Sequence, residues 1–137
     1  MLRNVDSLEG LALNYAVARA KGWRLAKDAL LNGILMEGWH ISGMCKAPNV
    51  WVSLDVFNPS ENWAQGGPIL EEYGVDLTKL SKGWSAGVNA WTKVQAVTPL
   101  VAIMRAFVKQ KFGEKIDLPD DLFVLENEWQ GKGVFEG

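Results

Sequence analysis

The chain has one cysteine, Cys45, and one histidine, His40. A lone cysteine excludes an internal disulfide, and one histidine with one cysteine cannot build a metal site without carboxylate help. His40 has no second ligand nearby in sequence, so it reads as a structural or surface histidine, and Cys45 reads as a small buried hydrophobe. An excess of one charge is also lacking: Lys+Arg 14 against Asp+Glu 16 gives a net charge of −2. That balance offers a nucleic-acid backbone no general attraction. The nearest basic grouping, Arg105, Lys109, Lys111 and Lys115, falls late in a helix and just past it, where cations complement the dipole. No apolar run approaches the ~18 residues that cross a bilayer, and Met1 leads into charged residues without an apolar signal core. The expected location is the cytoplasm, with neither nucleic acid nor membrane as partner. Dinucleotide and P-loop glycine spacings and the nucleophile elbow are missing as well. Glu71-Glu72 and Asp120-Asp121 are sequence neighbours that would point apart on any regular element, whereas catalytic carboxylates face each other across a cleft. No catalytic residue, metal or cofactor is assigned, and the chain is expected not to be an enzyme.

Tryptophan, by contrast, is abundant: seven residues in 137. Trp is seldom fully buried and its indole N–H seeks a partner, so some of the seven are expected to line a pocket or an interface.

Leu8, Leu11, Ala12, Tyr15 and Ala16 recur at helical spacing and predict a helix over Ser7–Lys21, opened by a capping-box-like pair, Asp6 and Glu9, and stopped at Gly22. From Trp23 to Cys45 the pattern is ambiguous. Trp23 to Leu25 can start a strand, Gly33 and Gly38 punctuate, and Asp28 to Met36 fits helix or strand. Val50 to Phe57 alternates with β-formers and reads as a strand. Val75–Leu80, Trp84–Val88 and Trp91–Val97 read as an antiparallel meander with Asn89-Ala90 in its last turn. Thr98-Pro99 opens the clearest helix, with Leu100, Ile103, Met104, Phe107, Val108 and Phe112 on one face and Gly113 as its stop. The resulting fold class is α+β: a small antiparallel sheet packed against two main helices plus one short helix, in a single domain over residues 1–137. Residues 123–137 form a tail whose Phe123, Leu125, Trp129 and Phe135 are apolar enough to dock on the same or a neighbouring subunit.

The short helix lies in the stretch Asn58 to Gly74. Gly67 reads as its N-cap, Pro68 as the first helical residue and Gly74 as the left-handed residue after the last turn. On that reading the N–H groups of Gly66, Gly67, Ile69 and Leu70 lack intrahelical partners and face a ligand at the positive end of a dipole. Trp63 would supply a stacking face and Arg105, with Lys82, a charge. The candidate ligand-binding residues are Asn62, Trp63, Gln65, Gly66, Gly67, Trp84 and Arg105, and the candidate ligand is small and anionic, with a nucleotide-derived molecule as the concrete version. The alternative is a tight turn whose N–H groups are capped by Asn62, Ser60 or water, with Trp63 a core anchor. The surplus tryptophan and the apolar tail also leave room for a homo-oligomer.

Asn58-Pro59-Ser60, Asn62-Trp63-Ala64-Gln65-Gly66-Gly67-Pro68-Ile69-Leu70-Glu71 and Thr98-Pro99-Leu100-Val101-Ala102-Ile103-Met104-Arg105 resemble a family of small phage and prophage proteins of the NinX-like type. Phe112-Gly113, Leu118-Pro119 and the opening Leu8 to Ala18 are similar to it too; Trp23 to Phe57 is not. The family is a domain of unknown function, so the resemblance implies a phage-encoded accessory protein in the host bacterial cytoplasm and carries over no active site. It also implies action by binding. Sequestration of a nucleotide-derived host immune signal is the first expectation, inhibition or redirection of a host protein the second, and an enzyme of unknown reaction the third.

Overall fold

The helix that opens at Thr98-Pro99 is the centre around which the other elements pack. The computed structural model describes residues 1–46, 49–89 and 92–123. In it this helix (α3) spans Pro99–Phe112; the Thr98 hydroxyl accepts from the Val101 N–H at 3.3 Å, and Gly113, at φ 86°, ends it. Leu100, Ala102, Ile103, Met104, Ala106, Phe107 and Val108 are buried, which makes α3 the main apolar contributor to the core. Each large side chain among them contributes about 1.5–3 kcal/mol.

The architecture is α+β. A three-stranded antiparallel sheet, β5 (Asp76–Leu80), β6 (Gly83–Gly87) and β7 (Val94–Ala96), lies on one side of α3, as the meander predicted. The β6–β7 connection is longer than a two-residue turn. Thr92 Oγ1 accepts from the N–H groups of Val88 and Asn89 at 2.9 and 3.0 Å and shapes the parts of it on either side; Ala90 and Trp91 lie outside the described residues.

Two other helices pack on α3. The first (α1) spans Gly10–Ala20, not Ser7–Lys21. A 3-10 turn, Val5–Ser7, precedes it, and the expected capping box does not form: Glu9 is the N-cap without a side-chain bond, and Asp6 pairs with Lys109 at 3.4 Å instead. The second (α2) spans Trp63–Tyr73 and is as long as α1, 11 residues each, so it is not a minor helix. The first strand, β1 (Leu2–Asn4), pairs antiparallel with β8 (Lys115–Asp117) beyond α3. Beyond it, Phe123 lies under the Arg3 guanidinium at 3.9 Å. The remainder of the expected tail, 124–137, lies outside the described residues.

The ambiguous stretch is a second antiparallel sheet, β2 (Arg24–Leu31), β3 (Ile34–Ser42) and β4 (Trp51–Ser53). Asn32 and Gly33, at φ 52° and 82°, form the two-residue turn that places Leu31 opposite Ile34, the positive-φ pair that a tight hairpin requires. The expected strand over Val50–Phe57 stops at Ser53. There Ser53 Oγ accepts from the Asp55 N–H at 3.3 Å and turns the chain into a 3-10 turn, Leu54–Val56, a local bond that competes with the strand ladder. Trp23, Trp39, Trp51 and Trp84 are half-buried. Cys45 is exposed, contrary to its reading as a buried hydrophobe, while His40 is buried with Nδ1 3.4 Å from the Gly38 carbonyl.

Candidate binding site at the starts of two helices

The loop that delivers the chain into α2 is held by side-chain amides. Asn14, buried on α1, donates from Nδ2 to Asn58 Oδ1 at 2.9 Å and accepts from the Ser60 N–H at 3.3 Å. The Asn58 carbonyl accepts from the N–H groups of Glu61 and Asn62 at 3.2 and 2.9 Å. Gln65 reaches back from the first turn of α2: its Oε1 accepts from the Asn58 N–H and its Nε2 donates to the Val56 carbonyl at 3.0 Å.

This network moves the helix start upstream of its expected place. Asn62 is the N-cap, its Oδ1 accepting from the Ala64 N–H at 2.9 Å, and its carbonyl accepts from Gln65 and Gly66 at 3.1 and 2.8 Å. Gly67 is therefore not an N-cap, Pro68 is inside the helix, and the Gly66 N–H does not face a ligand. Only Gly74, at φ 63°, ends the helix as predicted. Pro68 is tolerated because it and Ala64, whose carbonyl loses a donor, both lie on the exposed side where water can replace the bond. Gly66 is needed for another reason. A Cβ there would collide with the Pro59 carbonyl oxygen and sit 2.7 Å from Leu100 Cδ2, so its absence lets α2 lie close against α3.

Trp63, the first residue of α2, is 52% exposed, so it is not a core anchor. It borders a cleft of about 350 Å³ with Ser60, Glu61, Thr98, Pro99, Leu100 and Val101, between the starts of α2 and α3. A second cleft of about 320 Å³ is lined by Glu9, Lys82, Gln95, Ala96, Val97 and Arg105, and it shares Thr98 and Val101 with the first. Arg105 is anchored there, its Nε donating to the Leu8 carbonyl at 2.7 Å and its Nη1 to the Gln95 carbonyl at 3.0 Å. Burial pulls its pKa down, opposed by the charges of Glu9 and Asp6.

The candidate residues are thus divided. Asn62 and Trp63 stand at the first cleft's end of α2, and Arg105 is in the second cleft. Gln65 and Gly66 hold the loop and the helix contact, and Gly67 lies one turn inside α2. Trp84 is half-buried on β6 with Lys79 Nζ 5.1 Å from its ring, and it lines neither cleft. Among the walls that sequence reasoning missed, Pro99, Leu100 and Val101 belong to a helix that was legible without showing that its start borders a cleft, and Glu9 and Gln95 gave no local signal.

The sequence profile of the bacteriophage P22 NinX family matches residues 4–111. The chain belongs to that family. The matched span contains every residue lining the two clefts and runs through Trp23 to Phe57, which corrects the expectation that this stretch falls outside the likeness. In the segment Trp63-Ala64-Gln65-Gly66-Gly67-Pro68 of this chain, Gln65 is the loop staple and Gly66 the helix contact. Among curated proteins there is no match. Among the described residues no helix is long and apolar enough to cross a membrane.

Proposed function

We propose that this NinX-family protein is a non-enzymatic binding protein of the infected host's cytoplasm, and that its ligand lies across the start of α3. A flat apolar group of the ligand rests on Trp63, Pro99 and Leu100, and an acidic group points toward Lys82 and Arg105. The observation that carries this reading is the half-exposed Trp63 at the edge of an apolar cleft, at the start of a helix whose preceding loop is already held by bonds within the protein. A fold gains little from such exposure; a stacking ligand gains about 1–3 kcal/mol per base from an aromatic face. The second cleft carries two cationic side chains against one carboxylate, Glu9, which suits a single acidic group. A nucleotide has both parts, and a nucleotide-derived signal withheld from the host is the concrete candidate.

The test is a nucleotide panel. A true ligand at about a hundredfold excess over its Kd adds about 2.7 kcal/mol of stability, read as a raised melting midpoint. Trp63→Ala lowers the affinity roughly tenfold to a hundredfold while the unliganded midpoint stays near that of the wild type. Flat midpoints across the panel, or undiminished affinity in Trp63→Ala, overturn the reading. A second reading, docking of a host protein on this face, is favoured by Val97, 86% exposed on the rim of the second cleft. Recovery of one host protein by the wild type and not by Val97→Asp selects it.

A further inference from the structure

The tip of the β2–β3 hairpin has no use in the core or in either cleft. Leu30, Ile34 and Leu35 are 70%, 63% and 66% exposed, and residues 29–36 include no charged side chain. Leu30 stands opposite Leu35 in the ladder, so the two share one face of the ribbon. Adjacent exposed leucines on a strand pair are the kind of surface that proteins normally break with charge.

We propose that this ribbon is the contact between two copies of the chain, related by a two-fold axis beside Leu30 and Leu35. Three observations select a second copy as the occupant. First, a two-fold contact presents the same residues to themselves, so a charge near the axis meets its own image; the uncharged run from Ala29 to Met36 is free of that repulsion. Second, Leu30 and Leu35 as cross-strand neighbours give two copies a four-leucine cluster with no other sequence required. Third, β4 pairs with β3 only at His40, Ile41 and Ser42, so among the described residues the tip stands clear of the third strand, and its Leu30–Leu35 face is open to a partner; a contact of that face with its own copy about a two-fold axis closes at two copies. The register shift between Lys27 and Ala29 confines the contact to the tip, because a bulge disrupts straight edge pairing. The exposed patch is small beside the ~800 Å² per partner of a stable interface, so the dimer is in equilibrium with the monomer and its share rises with protein concentration.

Sedimentation velocity across a concentration series tests this with wild-type protein and with Leu30→Lys and Leu30→Glu. The expected result is a wild-type dimer that each substitution converts to monomer, and that an equimolar mixture of the two variants restores by pairing opposite charges across the axis. Leu30 is exposed, so unchanged circular dichroism and melting show that the variants are folded. A wild-type chain that stays monomeric throughout, including one whose hairpin instead holds a different protein, overturns the proposal. A dimer indifferent to both substitutions overturns it as well.

Discussion

Gly66 and Gly67 are neighbours with opposite requirements. A methyl group at Gly66 meets the Pro59 carbonyl and Leu100, whereas one at Gly67 finds Trp63 Cε3 at 3.9 Å, ordinary contact distance, and its φ is not in the left-handed region. Gly66→Ala is therefore expected to destabilise by about 1–3 kcal/mol through overpacking, and Gly67→Ala to stabilise by about 0.5–1 kcal/mol as alanine replaces a mid-helix glycine. Urea unfolding midpoints moving in opposite directions check the pair; a shared direction contradicts it. Asn62→Ala removes the cap of α2 and is expected to cost about 1 kcal/mol. The sequence contained both candidate caps. Gly67-Pro68 looked the stronger because proline favours the first helical position, but Asn62 prevailed through its bond to Ala64 and the staple from Gln65, which reaches a loop residue seven positions back.

The loop before α2 and the helix α1 behave as one unit through Asn14. Its truncation to alanine leaves the Ser60 N–H without that partner and weakens the hold on Asn58, for an expected loss of about 1–3 kcal/mol. Amide exchange of Ser60 to Asn62 should accelerate with it. Tyr15, one residue on, packs edge-on against Trp39 at 5.0 Å, and burial raises its pKa above the ordinary value of 10.0. Between that value and the raised one the unfolded chain has lost the proton that the folded chain retains, so stability falls as pH rises. Wild-type protein should lose melting temperature above pH 10 more steeply than Tyr15→Phe; parallel curves would refute this. Asn32-Gly33 is a hairpin-turn pair that the sequence reading left unused, taking Gly33 only as punctuation, and its flanks are apolar on both faces. Without polar alternation, periodicity could not separate strand from helix there.

Arg105 connects parts of the chain that share no local pattern: the carbonyl before α1, the carbonyl in β7 and its own helix. Arg105→Ala is expected to lower stability by about 2–3 kcal/mol, since bonds from a charged donor are the stronger kind. Arg105→Lys should recover little because one ammonium cannot match the guanidinium fork. Equal midpoints for wild type and Arg105→Lys would rule out the clamp. The pairing of β1 with β8 likewise joins distant parts of the chain, Arg3 opposite Ile116. Helix stops at Gly22, Gly74 and Gly113, the Thr98-Pro99 start, the meander and the α+β class were all readable from residue order, because caps, turns and periodicity depend on atoms within a few positions of one another. The clefts were not. Their walls pair Ser60 and Trp63 with Pro99 and Leu100, and Glu9 with Lys82 and Arg105. Whether such distant residues face one another depends on how closely α2 settles against α3, a distance set by a side chain missing at Gly66 and by the shapes of Pro59 and Leu100 on the other side.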